Sequence, residues 1–183
     1  LEYLKFKEVC NNMHVFLTGE IQVGKSTVIA KTLSLQNITY GGFKTYFGPD
    51  RASYNKLLYM NSAADSYIYN EELAVARFQT GCPPLPLTDK FNTLGVQFIR
   101  QSRLSSDLII MDECGSLERD ATLFQEEILN VLDGSIPVLG VIKLLSKGWT
   151  DCIRNHPNVK LITVTHENRN ELPQVIPHFI GNF

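Results

Sequence analysis

The strongest chemical signal in the chain is the stretch Gly19-Glu20-Ile21-Gln22-Val23-Gly24-Lys25-Ser26-Thr27. It fits the spacing G-x-x-x-x-G-K-[ST], the Walker A pattern, in which each fixed residue type has a task. Glycines at 19 and 24 permit backbone angles that other residues resist, so consecutive N–H groups can turn inward around an anion. The Lys25 ammonium reaches β- and γ-phosphates as a compact positive charge, and the Ser26 hydroxyl is a ligand for Mg²⁺. A helix that opens here aims its positive end at the same phosphates. Residues 19 to 27 are therefore expected to cradle the phosphates of a nucleotide.

Such a loop needs an acid at the end of another strand to complete the Mg²⁺ shell. Asp107-Leu108-Ile109-Ile110-Met111-Asp112 supplies one: an apolar strand delivers Asp112 at its carboxyl end, where open parallel sheets bind ligands. Glu113 follows directly, and a carboxylate beside the metal-binding acid is placed to orient or deprotonate a water for in-line attack on the γ-phosphate. Charge developing in that reaction falls to Lys25, the loop amides and Mg²⁺. An arginine often adds a factor of roughly 10³–10⁵. Arg51, Arg119 and Arg169 all fall near predicted strand ends, and the sequence does not choose among them.

The elements that must position these groups read as strands alternating with helices, the pattern of an α/β sheet. Met13–Thr18 is a short strand that feeds the loop, and Ser26–Leu35 is the helix that leaves it. Ile38–Phe47 reads as a second strand, with Gly41-Gly42 inside it marking a bulge or a close backbone approach. Residues 48 to 88 are the least regular: Lys56–Met60 suits a short strand, and Glu72–Phe78 stays open between helix and strand. Gly81–Pro86 is expected to be an irregular loop because of its prolines. Thr88 or Asp89 caps a helix to about Arg103, and Asp107–Met111 is a buried strand. Asp120–Leu132 is an amphipathic helix. Pro137–Ile142 and Val159–Val164 are nearly all-apolar, as central parallel strands covered on both faces are. A helix over Trp149–Asn155 lies between them, and a last helical stretch runs from about Asn168 to Ile180.

Composition narrows the functional classes. With 183 residues, the chain is long enough for a substantial core, and its expected organisation is one domain with an irregular insertion at about 48–88. A formal net charge of −2 and the lack of any Lys/Arg run give no sign of a nucleic-acid partner. No apolar run approaches the roughly 20 residues that span a bilayer, and Leu1–Cys10 mixes charges into its apolar positions, unlike a signal peptide. Cys10, Cys82, Cys114 and Cys152 are scattered without a CxxC pair, and His14, His156, His166 and His178 show no metal-ligand spacing. The expectation is a cytoplasmic protein with reduced thiols; its oligomeric state is not readable.

Three further segments bring in a family. Gly42-Phe43-Lys44-Thr45, Asp112-Glu113-Cys114-Gly115-Ser116-Leu117-Glu118 and Thr165-His166-Glu167-Asn168-Arg169-Asn170 resemble the GF-x-T, DE-x-G-x-[ML]-E and T-x-ENR-[DN] segments of the small P-loop nucleoside-triphosphatases first associated with thermophiles and also present in animals. They occur in the family's order and span nearly the whole chain. The resemblance implies a three-layer α/β sandwich with a mostly parallel central sheet. It also implies Mg²⁺-dependent hydrolysis of ATP, GTP and other nucleoside triphosphates with little base discrimination. Glu113 is then the base, and Asn168 and Arg169 lie near the nucleobase or ribose. The chain departs from the family pattern in two places. Gln22 stands where relatives usually carry a third loop glycine, and Tyr46-Phe47-Gly48-Pro49-Asp50-Arg51 replaces the usual acidic and arginine residues after GF-x-T.

Two other functional classes share the loop. A small-molecule or nucleotide kinase needs an acceptor pocket, for which residues 48 to 88 are the available segment, and a lid arginine, for which Arg51 and Arg77 are the only choices there. A nucleotide-gated regulator would hydrolyse slowly and change an exposed apolar surface; no N-K-x-D guanine-reading segment is present. The adjacent acids Asp112 and Glu113 suit water activation better than delivery of an alcohol.

Overall fold

The computed structural model describes residues 14–180; Met13 of the expected first strand, Cys10 and the Leu1–Cys10 stretch lie outside the described residues. In chain order the elements are β1 (His14–Thr18), α1 (Lys25–Ser34), β2 (Tyr40–Phe47), β3 (Asn55–Ser62), β4 (Ala74–Gln79), β5 (Leu85–Pro86), α2 (Thr88–Lys90) and α3 (Val96–Ser105). Then come β6 (Leu108–Cys114), α4 (Thr122–Leu132), β7 (Val138–Ile142), α5 (Trp149–Arg154), β8 (Val159–Thr163), α6 (Leu172–Val175) and α7 (Pro177–Ile180). The strands form one 8-stranded sheet in the order β5-β4-β3-β2-β6-β7-β1-β8. From β2 to β8 along that order every pairing is parallel, whereas β3, β4 and β5 extend the sheet antiparallel.

Alternation along the strands divides the core between the two faces. Phe16, Ile109 and Met111 point to one side, where Ile99 of α3, Phe124 and Ile128 of α4 and Ile153 of α5 cover them. Val15, Leu17, Leu108 and Ile110 point to the other, under Val28 and Ile29 of α1, Leu172 of α6 and Ile180 of α7. The result is the expected three-layer α/β sandwich. Each fully buried side chain of this size is worth about 1.5–3 kcal/mol relative to exposure, which is why the continuous apolar runs of β1, β6 and β7 sit at the centre. Gly42, at φ 90°, explains the paired glycines of β2: a β-carbon there would fall 2.0 Å from the Ile110 carbonyl oxygen. The close backbone approach of β2 to β6 is thus open to glycine alone.

Several expectations are corrected. The run Val159–Val164 is not central: β8 is the edge of the sheet and its residues are half-buried or exposed, consistent with Lys160 and Thr163 within it. Residues 48 to 88 are more regular than their composition suggests, since they supply β3, β4 and β5. Glu72–Phe78 resolves into a 3₁₀ turn at Glu71–Leu73 followed by β4. Leu85 and Pro86, expected in an irregular loop, pair with Arg77 and Ala76. Their strand is the other sheet edge, where proline's missing N–H costs no ladder bond. The helix up to residue 105 carries a π turn at Phe91–Gly95 between α2 and α3. The last helical stretch is broken into α6 and α7, with Pro173 and Pro177 each at a helix start, the one position where proline fits. Among the described residues no helix is long and apolar enough to cross a membrane.

Candidate functional site

The loop from Gly19 to Gly24 joins the end of β1 to the start of α1, as the spacing requires. Gly19 has φ 137° and lies so close to Val164 that a β-carbon would fall 2.5 Å from its carbonyl oxygen. Gln22 sits at φ 63°, the only non-glycine residue with positive φ among those described. The position where relatives usually carry glycine therefore keeps a backbone angle suited to glycine. The Lys25 ammonium donates to the carbonyl oxygens of Gly19 at 2.9 Å and Glu20 at 2.8 Å, which fixes it at the mouth of the loop. An ammonium has three protons, so one remains for an incoming oxygen. Ser26 and Thr27 are exposed at the first turn of α1, whose unpaired N–H groups face the same way.

Asp112 ends the buried part of β6, two strands across the sheet from β1. Its carboxylate and the Ser26 side chain line the same cleft, close enough for Ser26 to favour the charged carboxylate. Burial raises the Asp112 carboxyl to about 6, with Glu113 adding to the shift and Ser26, Lys25 and Lys44 opposing it. A hydroxyl and a carboxylate this close are the hard oxygen donors that Mg²⁺ takes, and that ion commonly keeps water and phosphate for the rest of its shell. No group of three His, Cys, Asp or Glu able to hold a metal occurs among the described residues. A divalent ion here would therefore draw on substrate oxygens.

Thr45 clamps the pair of acids. Its hydroxyl donates to the Asp112 carbonyl at 3.3 Å and accepts from the Glu113 N–H at 3.3 Å. The peptide between the two acids is cis. The Glu113 carboxylate is partly buried and makes no hydrogen bond or ion pair among the described residues. Below it the chain turns tightly. Glu118 is 3% exposed and its carboxylate accepts from the Gly115 N–H at 2.9 Å, while the Trp149 indole donates to the Gly115 carbonyl at 2.7 Å. Burial pushes the Glu118 carboxyl up to about 7 and the Cys114 thiol well above its ordinary range. Cys114 and Gly115 thus serve a turn beneath the acids. Of the described cysteines, Cys82, Cys114 and Cys152 are all free.

The remaining candidates separate. Arg169 reaches the loop from the β8 side: its guanidinium donates to the Val23 carbonyl at 3.3 Å and its side chain lies beside Gly24. Asn168 turns inward instead, accepting from the Thr165 N–H at 2.8 Å and donating to the Thr163 carbonyl at 2.9 Å. Its carboxamide therefore fixes the turn that carries Arg169. Arg119 stays with its own turn, donating to the Ser116 carbonyl at 3.4 Å. Arg51 lines a cleft of about 730 Å³ that starts at Ser26 and Asp112 and runs along α1 and β2 to the segment after β3.

Residues without a role in the sequence reading also meet here. Lys44 pairs in register with Asp112, and its ammonium donates to the carbonyls of Ala63 and Asp65. Burial lowers its pKa, against the opposing pull of Asp65 and Asp112. Tyr46, Tyr67 and Tyr69 line the cleft. The GF-x-T segment held the signal for Lys44 and Thr45, since a strand that pairs with β6 ends beside its acids. For Tyr67 and Tyr69 the only signal was their i, i+2 spacing, which puts both on one side of an extended segment.

The model of the NTPase family matches residues 14–177. Nucleoside-triphosphatase THEP1 of Thermotoga maritima is 29% identical over 167 residues, covering 87% of this chain and 91% of that protein. The cancer-related nucleoside-triphosphatase homolog of Bos taurus is 32% identical over 185 residues, covering 90% and 95%. Among solved structures, THEP1 from Aquifex aeolicus matches with a TM-score of 0.74 at 19% identity, covering 93% of this chain and 100% of that one. A human cancer-related nucleoside triphosphatase matches at 0.68 and 24%, covering 91% and 96%. These last two likenesses are of fold.

Proposed function

The chain belongs to the NTPase family, and from that premise we propose that it hydrolyses nucleoside triphosphates to diphosphate and phosphate, with Mg²⁺ and with broad tolerance of the base. The observation that carries the reading is the meeting of the Ser26 side chain with the Asp112 carboxylate beside the Lys25 ammonium. Oxygen donors for a cation and a fixed cation for phosphate converge there from the first turn of α1 and the end of β6. The relatives named nucleoside-triphosphatase support the same activity.

In this reading the loop amides and Lys25 hold the β- and γ-phosphates and absorb the charge that develops as the terminal group leaves. Ser26 and Asp112 would hold the Mg²⁺ ion, which supplies charge neutralisation between those phosphates when bound. Glu113, with its carboxylate uncommitted, orients a water in line with the γ-phosphorus and takes its proton. Arg169 secures the outer rim of the loop. Base tolerance follows from where the fixed contacts lie: they surround phosphates, which all the triphosphates share.

Phosphate release from ATP, GTP, CTP and UTP, with and without Mg²⁺, tests the proposal. Release from several triphosphates that requires Mg²⁺ and no acceptor is the expected result. Silence toward all of them under both conditions would sink it.

A further inference from the structure

The cleft beside the phosphate loop has features that triphosphate hydrolysis does not use. It lies on the β2 side of the loop, whereas Arg169 approaches from the opposite, β8 side. A triphosphate held on the loop amides with its metal-bound end at Ser26 and Asp112 would direct its terminal phosphate toward this cleft. Its about 730 Å³ falls within the ordinary range for small-molecule sites. Hydrolysis needs only room for a water there.

The lining is specific. Tyr40, Tyr46, Tyr67 and Tyr69 contribute aromatic rings, and Lys44 and Arg51 contribute cations. Tyr67 and Tyr69 keep 61% and 51% of their surface exposed, an unusual outlay of aromatic area in a cavity wall. They are also held in place. The Tyr46 hydroxyl donates to the Ile68 carbonyl at 2.8 Å and accepts from the Ile68 N–H at 3.0 Å, gripping the residue between them. The Tyr46 ring meets Tyr67 edge-on at 4.7 Å and Tyr69 at 5.9 Å. The Lys44 ammonium, tied to the Ala63 and Asp65 carbonyls, sits 4.6 Å from the Tyr67 ring centre. The wall is thus pre-organised: two exposed tyrosines on a segment held at Asp65 and at Ile68 between them, facing polar groups and an arginine with no ion pair among the described residues. Flat rings stack on such walls whatever their identity, and ring-bearing sugars find hydroxyl partners in the polar rim.

We propose that this cleft is a second ligand site, for a nucleoside, whose base stacks on Tyr67 and Tyr69 and whose sugar end faces the terminal phosphate of the triphosphate on the loop. The proposal rests on the loop reading only for what lies opposite the sugar; the stacking wall exists independently of it. Tyr46, which grips the tyrosine segment, stands where this chain departs from the pattern of the resembled family.

The test is a calorimetric titration of adenosine, guanosine, cytidine and thymidine into the full chain, first alone and then saturated with Mg²⁺ and a non-hydrolysable imido analogue of ATP. The expected result is that at least one nucleoside binds the loaded protein. A Tyr67→Ala/Tyr69→Ala variant should bind that nucleoside at least about tenfold more weakly, the loss expected for a base–aromatic stack, while still taking up the triphosphate analogue. Both side chains are surface-exposed, and a Tyr69→Phe variant, which keeps the ring, should restore binding and so exclude a folding defect. If no nucleoside binds either form, or if the analogue displaces the nucleoside competitively, the second site is overturned. Nucleoside binding that survives when the analogue itself fails to bind would uphold the cleft and overturn the loop reading instead.

Discussion

The parallel part of the sheet, β2-β6-β7-β1-β8, and its antiparallel extension, β3-β4-β5, are built on different principles. In the first, β1, β6 and β7 feed apolar residues into both cores, so helices cover both faces. In the second, β3 and β4 give Leu58, Met60, Val75 and Ala76 to one core, and none of their residues joins the other. The loop, Ser26, Asp112 and Glu113 all belong to the doubly covered half, where strand ends are fixed from two sides and side-chain positions are tightly set. The cleft and its tyrosines border the other half, whose second face is covered by Tyr46, Tyr69 and the segment after β3 instead of by a helix. On the proposed readings, the contrast separates chemistry from selectivity: the loop and acids sit where two layers of packing hold them, and the tyrosine wall borders strands that feed one core alone.

Substitutions can break or sharpen that contrast. Lys25→Ala should have the largest effect, a loss of about 10³-fold or more in kcat/KM with weaker triphosphate binding, since it removes the fixed cation of the loop. Phosphate release and nucleotide titration measure it, and near-parental values would move the chemistry out of the parallel half. Glu113→Gln should lower kcat by about 10²–10⁴ while leaving KM little changed, because it removes a proton acceptor and not a binding contact. An equal loss through KM would make Glu113 a binding residue.

Glu118 tests the turn beneath the acids through pH. Its carboxyl titrates near 7 in the folded chain, against an ordinary 4.5, because of burial. Between those values the folded chain holds a proton that the unfolded chain has released. The stabilisation is therefore complete below 4.5 and is lost as pH rises through about 7. Glu118→Gln should flatten this decline, by on the order of 1–3 kcal/mol across the window, as read from urea midpoints at several pH values. An identical slope in the variant would assign the decline to other groups. The smallest effect expected is at Gln22. Replacing it with glycine relieves a left-handed backbone and should raise stability by about 0.5–1 kcal/mol in thermal unfolding; a drop would mean that the side chain offsets the strain.

Legibility in the sequence follows the same division. The positions of the Gly19–Gly24 loop between β1 and α1 and of Asp112 at the end of β6 were readable, because the loop pattern fixes residue types at set spacing and a strand covered on both faces is an unbroken apolar run. β8 escapes that rule: a nearly apolar run reads as central, and only its place in the sheet order makes it an edge. In the antiparallel half, Leu85 and Pro86 hid a strand, since proline's ban from ladders lapses at an edge. Asn168 was legible as part of a motif, yet its engagement with Thr163 and Thr165 is a matter of local geometry that no spacing rule conveys. Lys44, Tyr67 and Tyr69 stayed out of view because what unites them is a cleft wall assembled from β2 and the segment after β3.

The place of β1 in the sheet has a consequence for synthesis. It is the first strand among the described residues, yet its partners are β7, through Leu139–Val141, and β8, through Val159–Thr163. A ribosome delivers the loop after β1 well before the strands that flank it, so its frame cannot close until β7 and β8 have emerged. Until then β1 carries two unpaired edges of a strongly apolar strand, the condition in which nascent chains recruit chaperones or one another. Closure of the frame around the loop therefore waits on β8, the last strand of the described residues, and couples the loop's shape to the folding of the whole parallel half.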